Sequence, residues 1–279
     1  MRHSTFLLAA AIGFLLGLPT PGLASTVYGV AADGDLYTIT LAAGTSPTTE
    51  VGSMGEVMTD IAGYDGSLYG VGINGDLYSI NPSTGHATEI GPTGEFGITA
   101  LEFDPADGVL YAAGGDQLYT INTSSGVASL VGSGSGSGAY FSSGDLAFVN
   151  GTLYLSSLGG RGGNDQLFSI NPSTGQGTLV VGNLLHPDIF GLAEADDTLY
   201  GFSAGGQIVA INLSTDTASN FAIYSPGFYG VTSLDPPLDP PAPAPEPGTF
   251  GTIVAAMLGA GVGRAISQLN HRSTNPKVT

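Results

Sequence analysis

The chain has 279 residues, with 23 Asp and Glu against 5 Lys and Arg, a formal net charge of -18, 45 Gly and no Cys. The absence of Cys excludes disulfides, thiolate metal sites and cysteine catalysis. The charge excludes nucleic-acid binding, because displacing counterions from phosphates takes Lys and Arg that the body of the chain lacks. At 42% hydrophobic and 10% charged, the composition is that of a folded, turn-rich chain and not of a disordered one.

At the N-terminus, Arg2 and His3 precede the apolar run Phe6 to Leu18, then Pro19, Pro21 and the small-residue stretch Gly22, Leu23, Ala24, Ser25. This order of basic, apolar and small residues predicts a secretory signal peptide over residues 1–25, with Ala24 or Ser25 the last residue removed. The apolar run is too short to span a bilayer as a helix, which takes roughly 20 residues. The competing reading is a buried N-terminal helix.

From residue 26 the chain repeats itself. Asp76-Leu77-Tyr78-Ser79-Ile80-Asn81-Pro82-Ser83-Thr84-Gly85 returns as Gln166-Leu167-Phe168-Ser169-Ile170-Asn171-Pro172-Ser173-Thr174-Gly175, with looser copies at Asp35, Gln117 and Gln207. Tyr37, Tyr78, Tyr119, Phe168 and Val209 mark five copies 41, 41, 49 and 41 residues apart. Tyr28, Tyr69, Tyr111, Tyr154 and Tyr200 form a parallel series. Within a copy, Thr59 to Gly63, Leu68 to Val71, Leu77 to Ile80 and Ala87 to Ile90 read as four short strands, here called a, b, c and d. Asn74-Gly75 supplies hairpin chemistry between b and c, and Asn81-Pro82-Ser83-Thr84-Gly85 turns c into d. Four strands per unit of roughly 40 to 45 residues is the period of a propeller blade.

The first copy starts at Thr26 to Val30, a b strand with no a strand before it, while Tyr229 to Leu234 after the last copy resembles an a strand. The expected fold is therefore all-β: a five-bladed β-propeller over residues 26–234, built of four-stranded antiparallel blades, with the first blade closed by the C-terminal strand. Closure removes two sheet edges that a β-rich protein must otherwise protect. An open β-solenoid is the alternative, and it does not require the split unit. The repeat resembles those of secreted bacterial β-propellers, a broad group whose members are mostly uncharacterised; that resemblance speaks to fold more than to function.

The body from 26 to 234 carries 20 acids against Arg161 alone, a net of -19. Such a field repels anionic lipid and acidic polymers and leaves cations and neutral partners open. Blade four departs from the repeat: Tyr154 to Phe168 spans 14 residues where the other copies span 8 or 9. The connection into it, Gly132 to Gly144, contains Tyr140 and Phe141. Both insertions fall on one face of a ring, so Arg161, Asn164, Tyr140 and Phe141 form a candidate ligand-binding site, with tolerated loop growth as the competing account.

The a strands of a propeller line its channel, and the aligned positions there are Asp60, Ala100, Asp145, Gly191 and Gly230. Asp60 and Asp145 could hold a hard cation such as Ca²⁺ or act as acid and base in glycoside cleavage. Asp35, Asp76, Asp116 and Asp165 cluster near hairpins entering strand c, where local hydrogen bonding explains them. His3, His86, His186 and His271 form no repeated ligand set. No Walker loop, G-x-S-x-G or H-E-x-x-H occurs. No cofactor is expected; Ca²⁺ is the single candidate ion.

Residues 235–247 are a Pro-rich linker, a stiff spacer without the donors of a central strand. Residues 248–279 carry a short apolar helix followed by Arg264, Arg272 and Lys277, the layout of a membrane segment whose tail stays in the cytoplasm. A helix docked on the body is the competing reading. Pro245-Glu246-Pro247, the apolar helix and the basic tail together resemble the PEP-CTERM sorting signal of exported bacterial proteins. The resemblance covers about the last 35 residues and makes Pro245, Glu246, Pro247 and Arg264 the sorting residues. It implies a transpeptidase-like exosortase as processing partner beside signal peptidase, with transient anchoring in the membrane by the C-terminal helix. It also implies a place among exopolysaccharide and biofilm systems.

Taken together, these features predict an exported protein of the cell envelope or extracellular matrix, with a non-catalytic binding or structural role. Its candidate partners are an extracellular polysaccharide or a surface protein. The alternative is a glycan-active hydrolase or lyase using Asp60 and Asp145.

Overall fold

The computed structural model describes residues 25–234. The first strands are β1 (Thr26–Ala31), β2 (Asp35–Thr40), the two-residue β3 (Gly44–Thr45) and β4 (Thr48–Ser53). The second blade holds β5 (Met58–Tyr64), β6 (Ser67–Gly72), β7 (Asp76–Ile80) and β8 (Ala87–Pro92). The third holds β9 (Ala100–Phe103), β10 (Leu110–Gly114), β11 (Gln117–Ile121) and β12 (Ala128–Ser133). In the fourth are β13 (Ser142–Val149), β14 (Thr152–Gly159), β15 (Gly163–Ile170) and β16 (Gly177–Val181). The fifth comprises β17 (Ile189–Ala195), β18 (Thr198–Ser203), β19 (Gln207–Asn212) and β20 (Thr217–Ile223), and β21 (Phe228–Thr232) follows.

Each blade is an antiparallel meander, and its first strand touches the first strands of its neighbours around the axis. This is the five-bladed propeller that the repeat predicts. β21 takes the inner place of blade one, pairing Thr232 with Tyr28, Val231 with Gly29 and Gly230 with Val30. A second latch was not legible in the repeat. β3, from the turn between the two outer strands of blade one, runs parallel to β20 and turns blade five into a five-stranded sheet. The Thr48 hydroxyl donates to the Ser225 carbonyl, 2.5 Å away. A two-residue strand has no alternation to read, so only the tertiary contact reveals it.

Alternation places the apolar positions on both faces of every blade, so the core lies between blades in five clusters. Between blades two and three, for example, Val71 and Leu77 meet Leu101, Phe103 and Leu110. The Tyr64 and Tyr69 rings lie 5.1 and 5.4 Å from Phe103. Each fully buried Leu or Phe contributes roughly 1.5–3 kcal/mol, and a ring distributes that gain over all five seams.

The Asn-Pro-x-Thr-Gly turn serves the same seams. Asn81 Oδ1 accepts the amides of Ser83 and Thr84 at 2.9 and 3.2 Å, and Gly85 N–H donates to Asn81 O at 2.8 Å. Gly85 has φ 76°, which glycine adopts without a steric penalty. A Cβ there would also fall on the Gly52 carbonyl of the preceding blade. Gly126 and Gly175 approach Gly91 and Gly132 in the same way.

Ser25, one residue before the predicted boundary, is tied into the ring: Leu41 N–H donates to Ser25 O at 2.9 Å, and the Ser25 hydroxyl to Asp196 at 2.6 Å. The signal segment before Ser25, the Pro-rich linker, the C-terminal apolar helix and the sorting residues Pro245, Glu246, Pro247 and Arg264 lie outside the described residues.

Candidate functional site

The axis is where Asp60 and Asp145 were expected, and the structure brings them together there, both fully buried. The inner edge of each a strand turns one unpaired N–H toward the axis at the residue after the aligned layer. Two carboxylates take all five. Asp60 Oδ1 accepts from its neighbour Ile61 at 2.8 Å and Oδ2 from Leu101 of blade three at 2.6 Å. Asp145 Oδ1 accepts from Leu146 at 2.6 Å, and Oδ2 from Leu192 at 2.5 Å and, at the limit of bonding distance, Val231 at 3.5 Å. The other three copies need no acid, because a carboxylate offers about four lone-pair sites. They need space: a Cβ on Gly230 would fall on Asp60 Oδ1.

The two acids also bond each other. Burial first, then the Asp145 charge and the hydrogen bond to Asp145, push the Asp60 carboxyl well above the usual carboxylate range. Burial raises Asp145 too, while the Asp60 hydrogen bond and the amides of Leu192, Leu146 and Val231 pull it down. Two buried carboxyls in hydrogen-bonding contact do not both ionise, so the pair retains a proton between them. Direct contact is closer than the roughly 5–5.5 Å of a retaining pair or the 6.5–9.5 Å of an inverting one. With no exposed surface, the pair offers a glycan nothing to touch. What the geometry does is close the axis and satisfy amides that would otherwise cost roughly 1–3 kcal/mol each.

Glu102 was not singled out from the sequence. It occupies the position filled by Ala62, Ala147, Ala193 and Thr232 in the other blades, and that break in the alignment was the available signal. Half-buried by accessible surface, its carboxyl is pushed well up by desolvation and then by the Asp145 charge.

In blade four the extra residues are not a loop. They lengthen β14 and β15 to eight residues each, joined through a 3₁₀ turn at Gly160–Gly162 that contains Arg161. The two insertions meet: Leu158 N–H donates to Phe141 O at 2.9 Å, and Phe141 N–H to the Ser157 hydroxyl at 3.0 Å. Phe141 is 58% and Leu158 43% exposed. Asn164, also exposed, donates to Asn183 at 3.0 Å. Tyr140 corrects the expectation: it is 5% exposed, packs on Phe168 and supports the connection from below instead of facing a ligand. Burial raises its hydroxyl to about 12.

Asp165 departs from the local-turn account too. While Asp35 and Asp76 sit in hairpins whose amides bond Asp33 and Asn74, Asp165 is buried. It accepts from the Ser143 hydroxyl at 2.5 Å and the Ile189 amide at 2.8 Å, tying blade four to blade five. Burial raises its carboxyl and these bonds lower it.

Residues 87–232, more than half of the chain, match the family model described as a repeat of unknown function (DUF6923). Among solved structures, the fold is similar to a chain from the crystal structure of a nidogen/laminin complex, at 14% identity over 74% of this chain and 97% of that one, with a TM-score of 0.50. A structural genomics protein of unknown function from Bacteroides thetaiotaomicron aligns at 15% identity over 72% of this chain and 58% of that one, with a TM-score of 0.49. At such identities the nidogen/laminin match shows a shared fold and nothing about function. No curated protein matches.

Proposed function

The chain belongs to the DUF6923 repeat family, and we propose that it is an exported β-propeller with a non-catalytic binding or scaffolding role at the cell envelope or in the extracellular matrix. One observation carries the non-catalytic part: the two carboxylates best placed for chemistry are buried in contact and occupied by the five inner-edge amides. A general acid must reach the atom it protonates, and this pair reaches only the backbone.

The export part rests on the two ends of the chain. Residues 1–25 act as a signal peptide, and Pro245-Glu246-Pro247 with the apolar segment and Arg264 acts as a PEP-CTERM-like sorting signal, read by an exosortase-like enzyme at the membrane.

Cell fractionation with mass spectrometry of the chain termini tests it. The expected result is a chain recovered from the envelope or medium, starting at Ser25 or Thr26, and cut near Pro245 when an exosortase is present. Recovery from the cytoplasm with Met1 intact overturns it.

A further inference from the structure

The strand registers place one row of side chains across every blade. Tyr69 stands opposite Ser79, and Ser79 opposite Thr88. The same row reads Tyr28, Thr38, Thr49 in blade one, Tyr111, Thr120, Ser129 in blade three, and Tyr154, Ser169, Thr178 in blade four. In blade five it is Tyr200, Ala210, Ser219. Exposure increases outward, from half-buried Tyr to the exposed Thr or Ser of the outer strand. Four of the five rows thus present an aromatic ring followed by two hydroxyls.

In blades two, three and five the outer part of the row forms a wall of a notch on the face opposite Arg161. The three notches measure about 490, 410 and 460 Å³. Each is bordered by the Asn that opens the turn from c to d: Asn81, Asn122 and Asn212. Their Oδ1 atoms are already taken by turn amides, as with Asn122 on Ser124 and Asn212 on Ser214. That bonding fixes each side chain and turns its Nδ2 donors away from the turn. A hydroxyl that both donates and accepts, next to a fixed amide donor in an open polar notch, suits a neutral polyhydroxylated ligand. The volumes fall within the usual range for small-molecule sites, roughly 300–1,000 Å³. The net charge of -19 over the body disfavours an acidic one.

We propose that this face binds a neutral polysaccharide through equivalent notches in blades two, three and five, each taking one or two sugar rings of the same polymer. The proposal rests on the binding role proposed above and names its ligand class. Each notch is shallow and weak alone. Their number on one rigid ring makes a repeating polymer the ligand, since linked sites gain on the order of 10²–10⁴ in avidity without new contacts.

The test uses the full-length chain in mild detergent and measures its affinity for dextran, laminarin and galactomannan, with alginate as the anionic comparator. At least one neutral polymer is expected to bind at least ~100-fold more tightly than its own trisaccharide, and alginate not to bind. Thr88→Gln, Ser129→Gln and Ser219→Gln narrow the three notches from exposed outer-strand positions. Each single change is expected to weaken polymer binding about fivefold and the triple change more than ~100-fold, at an unchanged melting temperature. Phe141→Ala, on the opposite face, reports whether binding runs through blade four instead, and is expected to bind as wild type. The proposal is overturned if no neutral polymer binds, if the triple variant binds within twofold of wild type, or if Phe141→Ala alone abolishes binding. An exported chain that binds none of these polymers sinks this inference and leaves the export reading standing. A cytoplasmic chain that binds them does the reverse.

Discussion

The axis and the rim of this ring solve the same repeated problem with different economies. At the axis, five identical backbone amides are satisfied by two carboxylates that share a proton, and the remaining copies contribute only Ala or Gly. At the rim, the c–d turns of blades two to five bond to themselves, so the Asn acceptor recurs in four blades, while that of blade one reaches across to blade five. The difference follows from geometry. Near the axis the strands converge and one side chain reaches several blades; at the rim they diverge, and apart from the blade-one latch each blade satisfies its own turns. A break at the axis should therefore be felt by the whole ring, and a break at the rim by one blade.

The largest break is to remove the closing strand. Deleting Tyr229 to Leu234 strips the inner strand from blade one, exposes an edge and removes Val231 and Thr232, whose hydroxyl accepts the Gly63 amide of blade two at 3.0 Å. Loss of cooperative unfolding and aggregation are expected in calorimetry. A deletion that melts like the parent would show that the ring does not depend on this seam. Next comes Asp145→Asn, which turns an amide N–H₂ or a single carbonyl toward three backbone donors. A cost of about 3–5 kcal/mol is expected, roughly 10 °C in a domain of this size. Asp60→Asn should cost less, about 1–3 kcal/mol, because an amide can still donate to Asp145 in place of the shared proton. Equal melting temperatures for the two variants would show that the two acids carry the axis equally, against the larger share that three bonded amides give Asp145.

Much of this was legible in advance, and the boundary is instructive. The period of about forty residues, the unpaired first b strand and the trailing Tyr229 to Leu234 were enough to specify five blades and their closure. Each is a local pattern repeated in register. The alignment also placed Asp60 and Asp145 in one layer of the channel. What it could not give was their distance, because how far apart two blades hold their inner strands depends on packing and not on spacing along the chain. Tyr140 failed for a similar reason: an aromatic in a Gly-rich connection looks exposed until the connection is seen to fold back over Phe168. The β3 latch, two residues long, left no pattern at all.

A gentler perturbation of the axis is pH. The carboxyls of Asp60 and Asp145, and of Glu102 beside them, are all held above the usual range, with burial as the first cause. In the unfolded chain such groups release their protons near pH 4, whereas the folded axis keeps the proton shared by the Asp60–Asp145 pair and that of Glu102. Above that point the folded state binds more protons than the unfolded one, so stability falls as pH rises. Their contribution is fully present below about pH 4 and is lost through the raised values of the folded groups, at up to about 1.4 kcal/mol per pH unit for each retained proton. Thermal melts should therefore show a higher midpoint near pH 5 than near pH 8. Asp60→Asn and Glu102→Gln should each flatten that slope; a slope unchanged in both would place the titrating groups elsewhere, with Asp165 the next candidate.

The smallest effect belongs to the rim. Thr88 is exposed on the outer strand of blade two and accepts at its backbone carbonyl from the Ser79 hydroxyl at a long 3.4 Å. Thr88→Ala leaves that carbonyl in place and removes only a solvated hydroxyl and methyl group, so a change within about 0.5 kcal/mol is expected. Blade two is joined to its neighbours through Leu77, Val71 and the Gly85 approach to Gly52, none of which involves Thr88. The row of hydroxyls is then nearly free of any duty to the fold, in contrast with Asp145. If Thr88→Ala instead cost as much as Asp60→Asn, the rim would be coupled through the blade to the axis, and the division between a shared centre and self-sufficient blades would fail.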